Sequence, residues 1–537
     1  MIIARRSPPS PANLPQNSPG GIEMSAIALA SYAEDQWLAA GGGATLVSAV
    51  DGHVVAEMPP SIDPAAMLHH ARSTGSAKLR AMTFQQRGKM LRAMADALTA
   101  RKEELYELSY ETGSTRGDSA FDIDGGIGTL FVYASKAKGL SDTHVLADGG
   151  REALSKGNFA GQHILTPLRG AAVHINAYNF PVWGMLEKLA PTLLAGVPAI
   201  VKPATVGAYL TEAAFRILIE ADVVPAGALQ LLLGSSGDLL DQLDGQDVVA
   251  FTGSATTAAK LKANPNVIGR AVRFTAEQDS LNASVLGGDA TPDSPEFDLF
   301  VKEVVREMTQ KAGQKCTAIR RAIVPAALLD AVQDAIVARL AKTQVGNPRA
   351  EGVRMGALAG LQQREDVRAN IVKLAAEATI VTGGGVPALI DADSEKGAFL
   401  APTLLRCETP LGAKIIHAVE AFGPVSTIMP YDTIADAAAI VRKGEGSLVC
   451  SLFSHDIKTI SDFVPEVAST HGRLLIVDRD SAADSTGHGA AMPHMVHGGP
   501  GRAGGGEELG GLIGMGHYMQ RTAIQGAPTT LDAVAAL

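Results

Sequence analysis

Residues 199–233 read AIVKPATVGAYLTEAAFRILIEADVVPAGALQLLL, and their pattern decides the fold. A short apolar run, Ala199–Val201, gives way at Lys202-Pro203 to a segment, Val206–Ala221, with a different rhythm. There Leu210, Ala213, Ala214, Ile217, Leu218 and Ala221 recur at three and four, which lays them along one helix face. Pro225 and Gly227 supply stop signals, and a second apolar run, Leu229–Leu233, follows. Strand, helix, strand with short connections implies parallel pairing through a right-handed crossover. Further out, Ala171–Ala177 (AAVHINA) and Val248–Thr252 are short apolar runs bounded by Gly, Pro or Asn, as buried strands are. The fold class is α/β.

Beyond this unit, Gln85–Leu108 has the spacing of one or two long amphipathic helices ending near Glu111-Thr112-Gly113. Phe297–Ala312 carries Phe297, Phe300, Val301, Val304, Val305 and Met308 at helical intervals, with Gly313 as its stop, and Leu328–Leu340 reads similarly. His144–Gly170 alternates loosely around Gly turns, which suits a hairpin, while Gly498–Gly511 is glycine-rich enough to read as loop. The stretch Asp289–Asp298 (DATPDSPEFD) is the expected boundary between two halves, and no internal repeat is present.

The 537 residues allow two to four domains. Lys+Arg 46 against Asp+Glu 56 leaves a net charge of −10, so no basic surplus points to nucleic acid or an anionic membrane. The longest strongly apolar stretch, Leu189–Val201, lies between two lysines and contains Pro191 and Pro198. It is too short for a bilayer, which needs about 20 residues. Residues 1–23, rich in Pro, Asn, Gln and Ser, lack the apolar middle of a signal peptide; they are expected to be a disordered extension, with Met24 an alternative start. Cys316, Cys407 and Cys450 are too few and too scattered for a disulfide scaffold or zinc knuckle, which suits a cytoplasmic protein.

Six motifs carry residues with chemistry. In Gly313-Gln314-Lys315-Cys316-Thr317-Ala318 a cysteine follows a helix end beside a lysine. A neighbouring cation lowers a thiol pKa from about 8.5, so the pattern predicts a reactive thiol. An arbitrary cysteine is more often a small buried hydrophobe, and Cys407 and Cys450 keep that reading. In Asn176-Ala177-Tyr178-Asn179-Phe180-Pro181 an amide follows a strand, where it can donate to a developing oxyanion. Val201-Lys202-Pro203-Ala204-Thr205 presents one lysine at a strand end, and Phe251-Thr252-Gly253-Ser254 runs into a turn and helix that welcome phosphate. Taken singly, such lysines and Gly-Ser turns are mostly structural. Glu277 ends a buried run, where an unpaired carboxylate takes up a proton or a role. Glu420-Ala421-Phe422-Gly423-Pro424-Val425 completes the set.

Asn179 in YNFP, Lys202 in KPA, Gly253-Ser254 in FTGS, Glu277, Cys316 in GQKC and Glu420 with Phe422 in EAFGPV form an ordered set. That set resembles the aldehyde dehydrogenase superfamily from about residue 80 onward. The resemblance implies a Rossmann-like cofactor domain (24–147 and 170–279), an α/β catalytic domain (280–500) and a small β oligomerisation arm (148–169 and 501–537). It implies that Cys316 adds to an aldehyde, with the oxyanion held by the Asn179 amide and the backbone N–H of Cys316. Hydride would then pass to a nicotinamide, leaving a thioester on Cys316 that water activated by Glu277 hydrolyses. Lys202 would bind the adenosine ribose and its substituents, Gly253 and Ser254 the pyrophosphate, and Glu420 with Phe422 the nicotinamide ribose and ring.

Departures from the family pattern sharpen the expectation. Thr205 stands where the family usually has a glutamate that bonds the adenosine ribose, so the site should tolerate a 2′-phosphate, and NADP is expected over NAD. Gln278-Asp279-Ser280-Leu281 replaces the usual Leu-Gly-Gly-Lys, and Ala258 replaces a glycine. The loop from His497 to Glu508 resembles one branch, whose members oxidise CoA-thioester semialdehydes formed during aerobic degradation of benzoate and phenylacetate. The expected substrate is 3,4-dehydroadipyl-CoA semialdehyde. The phenylacetate version carries a fused hydratase-like domain, so a chain ending at Leu537 is read as the stand-alone version. His497 falls where the family often has an aromatic lining the aldehyde tunnel, so it and Phe180 are expected to contact substrate. His488, His494 and His497 have no suitably spaced carboxylate nearby, and no metal site is expected. The other readings are a generalist for small free aldehydes, acyl release to free CoA, which generally goes without the glutamate, and a non-catalytic member. A homodimer or tetramer is expected.

Overall fold

The computed structural model describes residues 26–537, so the extension expected over 1–23 and the alternative start at Met24 lie outside the described residues. Two seven-stranded sheets dominate. The first runs, from one edge, Arg273–Glu277, Val248–Thr252, Ala172–Ile175, Ala199–Lys202, Leu229–Leu231, Ser31–Ala33 and Gln36–Leu38. Its first five strands pair in parallel, and the last two form an antiparallel edge. From Ala172–Ile175 the chain steps outward through Ala199 and Leu229, then returns to Val248 on the other side and steps outward again. That reversal opens a crevice at the carboxyl ends of Ala172–Ile175 and Val248–Thr252, the place where such sheets bind ligands. Register puts Ile175 opposite Lys202 and Thr252 opposite Glu277, all on that rim.

The helix expected over Val206–Ala221 spans Ala208–Glu220 after a 3-10 turn at Thr205–Gly207. Its face packs with Trp183–Ala195 and the long helices Phe84–Ser109 and Arg116–Ala137 into one core holding Leu91, Leu189, Leu210 and Phe215. Phe84–Ser109 is a single helix, opened by a capping box between Thr83 and Gln86.

The second sheet runs Thr379–Thr382, Thr403–Arg406, Val425–Tyr431, Arg321–Pro325, Ala283–Leu286, Ser447–Phe453 and His471–Val477, parallel except at its first pair. Alternate residues of one strand face different cores. Ile323 joins the one built with helices Ile434–Arg442 and Ile457–Val467, whereas Ala322 and Val324 join the one built with Pro295–Thr309 and Leu329–Leu340. A smaller antiparallel sheet joins the hairpin Leu146–Ala153 and Ala160–Pro167 to the distant strand Met519–Gly526.

Three expectations need correction. The chain leaves the first sheet after Glu277 and enters the second at Ala283, so Asp289–Asp298 is a turn inside the second unit and not a boundary. Its Ser294 caps the helix that Pro295 begins, and cap residues have the composition of a linker. That helix ends at Thr309, not Ala312, because Lys311 and Ala312 take left-handed φ of 55° and 50°. The glycine-rich stretch 498–511 is not all loop: Val496–Gly498 pairs antiparallel with Glu507–Leu509.

Candidate active site

Each reactive side chain sits where an element ends. Glu277 is the last residue of its strand. Asn179 lies four residues beyond Ile175, where Ala172–Ile175 ends. Cys316 follows the left-handed turn Lys311–Gly313. Gly313 has φ +67°, and a Cβ there would lie 2.1 Å from the Gly423 carbonyl oxygen, so this approach admits only glycine. The loop is tied down from behind: Asn282 Nδ2 donates to the carbonyls of Cys316 (2.7 Å) and Ala318 (3.1 Å), and Arg320 donates to that of Gly313 (3.0 Å). His497 comes from the short strand Val496–Gly498, opposite Glu508.

These elements converge. One cavity is lined by Asn179, Phe180, Glu277, Cys316 and His497, with Phe121, Trp183 and Thr252. Phe180, Phe121 and Trp183 stack in tilted contacts with centroids 5.3–6.1 Å apart and make its apolar wall. Asn179 Nδ2 donates one amide proton to the Gln314 carbonyl at 3.0 Å, which fixes the amide and leaves the second proton for a ligand. His497 Nε2 lies 3.0 Å from Glu277 Oε2 and 4.0 Å from Cys316 Sγ. Glu277 is only 2% exposed, and its Oε1 has no hydrogen-bond partner among the described residues.

Electrostatics correct one expectation. Lys315 does not face the thiol: its ammonium is buried against Glu307 (2.7 Å) and Gln310 (2.8 Å), so its charge is compensated there. Burial and the Glu277 carboxylate instead push the Cys316 thiol well above its ordinary value. Burial would raise Glu277 too, but His497, Lys188 and Cys316 outweigh it and hold the carboxyl down at about 2. Burial disfavours the His497 imidazolium, yet Glu277 draws its pKa upward. The other two histidines lie elsewhere. His488 Nδ1 is 2.9 Å from Ser451 Oγ, and His494 is exposed.

Sequence reasoning missed a buried charged cluster behind Glu277. Lys188 donates to Thr252 Oγ1 at 2.6 Å and Glu508 Oε2 at 3.1 Å, with Glu187 Oε1 at 3.5 Å. Burial raises Glu187 to about 7. The signal was present: Glu187-Lys188 interrupts the otherwise apolar helix Trp183–Ala195, and buried charges occur in compensated sets.

The candidate cofactor residues lie outside this cavity. Lys202 Nζ meets the Pro203 carbonyl at 3.3 Å, burial lowers its pKa, and Thr205 is exposed beside it. Ser254 follows Gly253 and caps helix Ala255–Lys262, whose first N–H donates to Asp279 Oδ1 at 2.9 Å. Glu420 accepts from the Ser280 N–H (3.2 Å) and from Arg320 Nε (3.3 Å); burial pushes it up to about 7 against that arginine. Phe422 faces the Tyr178 ring edge-on at 6.1 Å. Asn176 is buried at the crevice with both amide atoms unpartnered among the described residues, an arrangement that a polar ligand on the rim would satisfy.

Comparison with known proteins agrees with this architecture. Residues 41–524 match the model of the aldehyde dehydrogenase family. The chain is 47% identical to the 3,4-dehydroadipyl-CoA semialdehyde dehydrogenase of Aromatoleum evansii, over 88% of this chain and 93% of that protein. A shorter match, 48% identical over 34% of this chain and 52% of the relative, is to Protein MaoC of Klebsiella aerogenes. The crystal structure of betaine aldehyde dehydrogenase from Staphylococcus aureus in complex with NAD+ superposes with a TM-score of 0.80, covering 93% of this chain and 94% of that one at 24% identity, and so shares its fold. The chain belongs to the aldehyde dehydrogenase family.

Proposed function

We propose that this protein oxidises a CoA-thioester semialdehyde, of the 3,4-dehydroadipyl-CoA type, to its carboxylic acid with NADP as oxidant. The convergence of Cys316, Glu277 and Asn179 on one cavity carries the chemistry. The name of the Aromatoleum evansii relative supports the substrate and, with it, a place in aromatic degradation.

Cys316 adds through sulfur to the aldehyde carbon. The free amide proton of Asn179, with the backbone N–H of Cys316, receives the charge that develops on oxygen; losing one such donor costs about 10²–10³ in rate. A nicotinamide, when bound, supplies the hydride acceptor. Lys202, Thr205, Gly253 and Ser254 would hold its adenosine and phosphates, and Glu420 and Phe422 its ribose and ring. The acyl group left on Cys316 is a thioester, and Glu277, with one oxygen unpartnered, takes a proton from the water that hydrolyses it. Phe180 and His497 contact the substrate chain. The presence of Glu277 favours release to water over release to free CoA. Acid formation without added CoA tests this, and strict CoA dependence would reverse it.

Among the described residues Lys202 has only a backbone carbonyl as partner, and Thr205 stands in place of a carboxylate, which supports NADP. Comparing kcat/KM for NADP and NAD checks the choice, and Thr205→Glu should move it towards NAD. Residues 24–147 with 170–279 are proposed to carry the cofactor and 280–500 the catalytic cysteine. The arm of 148–169 and 501–537, largely exposed, would form a homodimer or tetramer, measurable by light scattering. Among the described residues no helix is long and apolar enough to cross a membrane, and a thiol that must stay reduced suits the cytoplasm.

A further inference from the structure

The first step of the reaction places two anions in one small space. Cys316 must become a thiolate to add to the aldehyde, beside Glu277, which is held as a carboxylate before its own step with water. Their side-chain atoms and the His497 ring nitrogen all lie within 4.8 Å of one another. Two like charges at that range, away from bulk water, suppress each other's ionisation. Glu187, in the wall of the same cavity, also disfavours the thiolate when it is ionised. Two permanent cations act on the pair from a distance and bond other groups: Lys188 donates to Glu508 and Thr252, and Arg473 to the His488 carbonyl at 2.7 Å. His497 is the cation-capable side chain in contact with both members of the pair.

We propose that His497, as an imidazolium, is the counter-ion that lets the Cys316 thiolate and the Glu277 carboxylate exist side by side. The S–H bond of Cys316 breaks, the electron pair stays on sulfur and the proton leaves to water in the cavity. The imidazolium proton remains on Nε2 in its bond to Glu277 Oε2, so Oε1 stays available as the base. The triad is electrically neutral before this loss and carries one negative charge after it. Without His497 the same loss would leave two adjacent anions with no cation in contact with them, only Lys188 and Arg473 at longer range. This rests on the reading of Cys316 as the nucleophile.

Inactivation of the whole enzyme by iodoacetamide between about pH 6 and pH 10 reads the thiolate without any aldehyde present. Cys316→Ala serves as the blank for Cys407 and Cys450. In His497→Gln, which keeps a donor but not the charge, alkylation near neutral pH should slow by at least about tenfold, converging with the wild type at alkaline pH. His497→Phe should show the same displacement. A role confined to packing or substrate contact would change KM for the aldehyde and leave the alkylation profile in place; superimposable profiles in wild type and variants overturn the proposal. If both variants fail to fold, the ultraviolet thiolate absorbance of the wild type, taken as the difference from Cys316→Ala, decides. A transition at or below about 8.5, against the upward push of burial and Glu277, supports the proposal, and one above it overturns it. Turnover retained in Cys316→Ala would overturn the nucleophile reading and this one with it. Inactive Cys316→Ala with unmoved alkylation profiles overturns this inference alone.

Discussion

Lys315 adjoins the cysteine in sequence and faces away from it in space. Its ammonium and the Glu307 carboxylate are both almost fully buried, so Lys315→Met should act on stability and not on the thiol. Removing one partner of a buried pair costs about 3–5 kcal/mol, to be read as a lowered Tm with an unchanged alkylation profile. Glu277→Gln should behave in the opposite way. A first turnover should persist while steady-state acid formation falls by about 10²–10⁴, leaving a stable thioester on Cys316 visible by mass spectrometry. Asn179, Glu277 and Cys316 could be singled out in the sequence because each follows or ends a recognisable segment, and the structure brings all three to one cavity. Lys188 and Glu508 could not be paired in advance, since a contact between residues 320 positions apart leaves no local trace.

Elements explain which parts of the fold could be read early. Parallel strands such as Val248–Thr252 are buried on both faces, so they appear as apolar runs with clear Gly, Pro or Asn boundaries. The Phe297 helix is shorter than its sequence implies because Lys311 and Ala312 have good helix propensity, and only tertiary contacts turn them left-handed: the Lys311 N–H donates to Asp118 Oδ1 at 2.7 Å. The pairing within 498–511 stayed hidden because glycine suits loop and close packing alike. Gly504 shows the second use. With φ at +106°, a Cβ there would sit 2.3 Å from the Ala276 carbonyl oxygen, in the strand that carries Glu277. Gly504→Ala should therefore destabilise by more than the 1 kcal/mol or so of its backbone angle, and should lower kcat more than cofactor affinity. Wild-type kcat in that variant would show that the loop does not position Glu277.

Across the whole molecule, buried neutral histidines couple stability to pH. Burial holds His174 at about 3, and His417 and His471 at about 4, against 6.5 when exposed. The unfolded chain therefore binds more protons below 6.5, so stability is fully present above that pH and is lost as the pH falls towards 4. At about pH 5 each histidine represents about 2 kcal/mol. Calorimetry should show Tm falling between neutrality and about pH 5, and a flat Tm would contradict the assignment. These histidines belong to different parts of the chain, His174 to the first sheet and His471 to the edge of the second, so acid should loosen both at once.

The strand Met519–Gly526 lies against Ala160–Pro167, and His497 reaches back to Glu277 and Cys316. A ribosome delivers these partners long after the residues they meet. The nucleophile and the base can be in place on a nascent chain while the imidazole beside them has yet to be made, so the centre is finished only after residue 497 has emerged. Translation itself thus works as a timer, and a truncated product would carry a cysteine without its full setting.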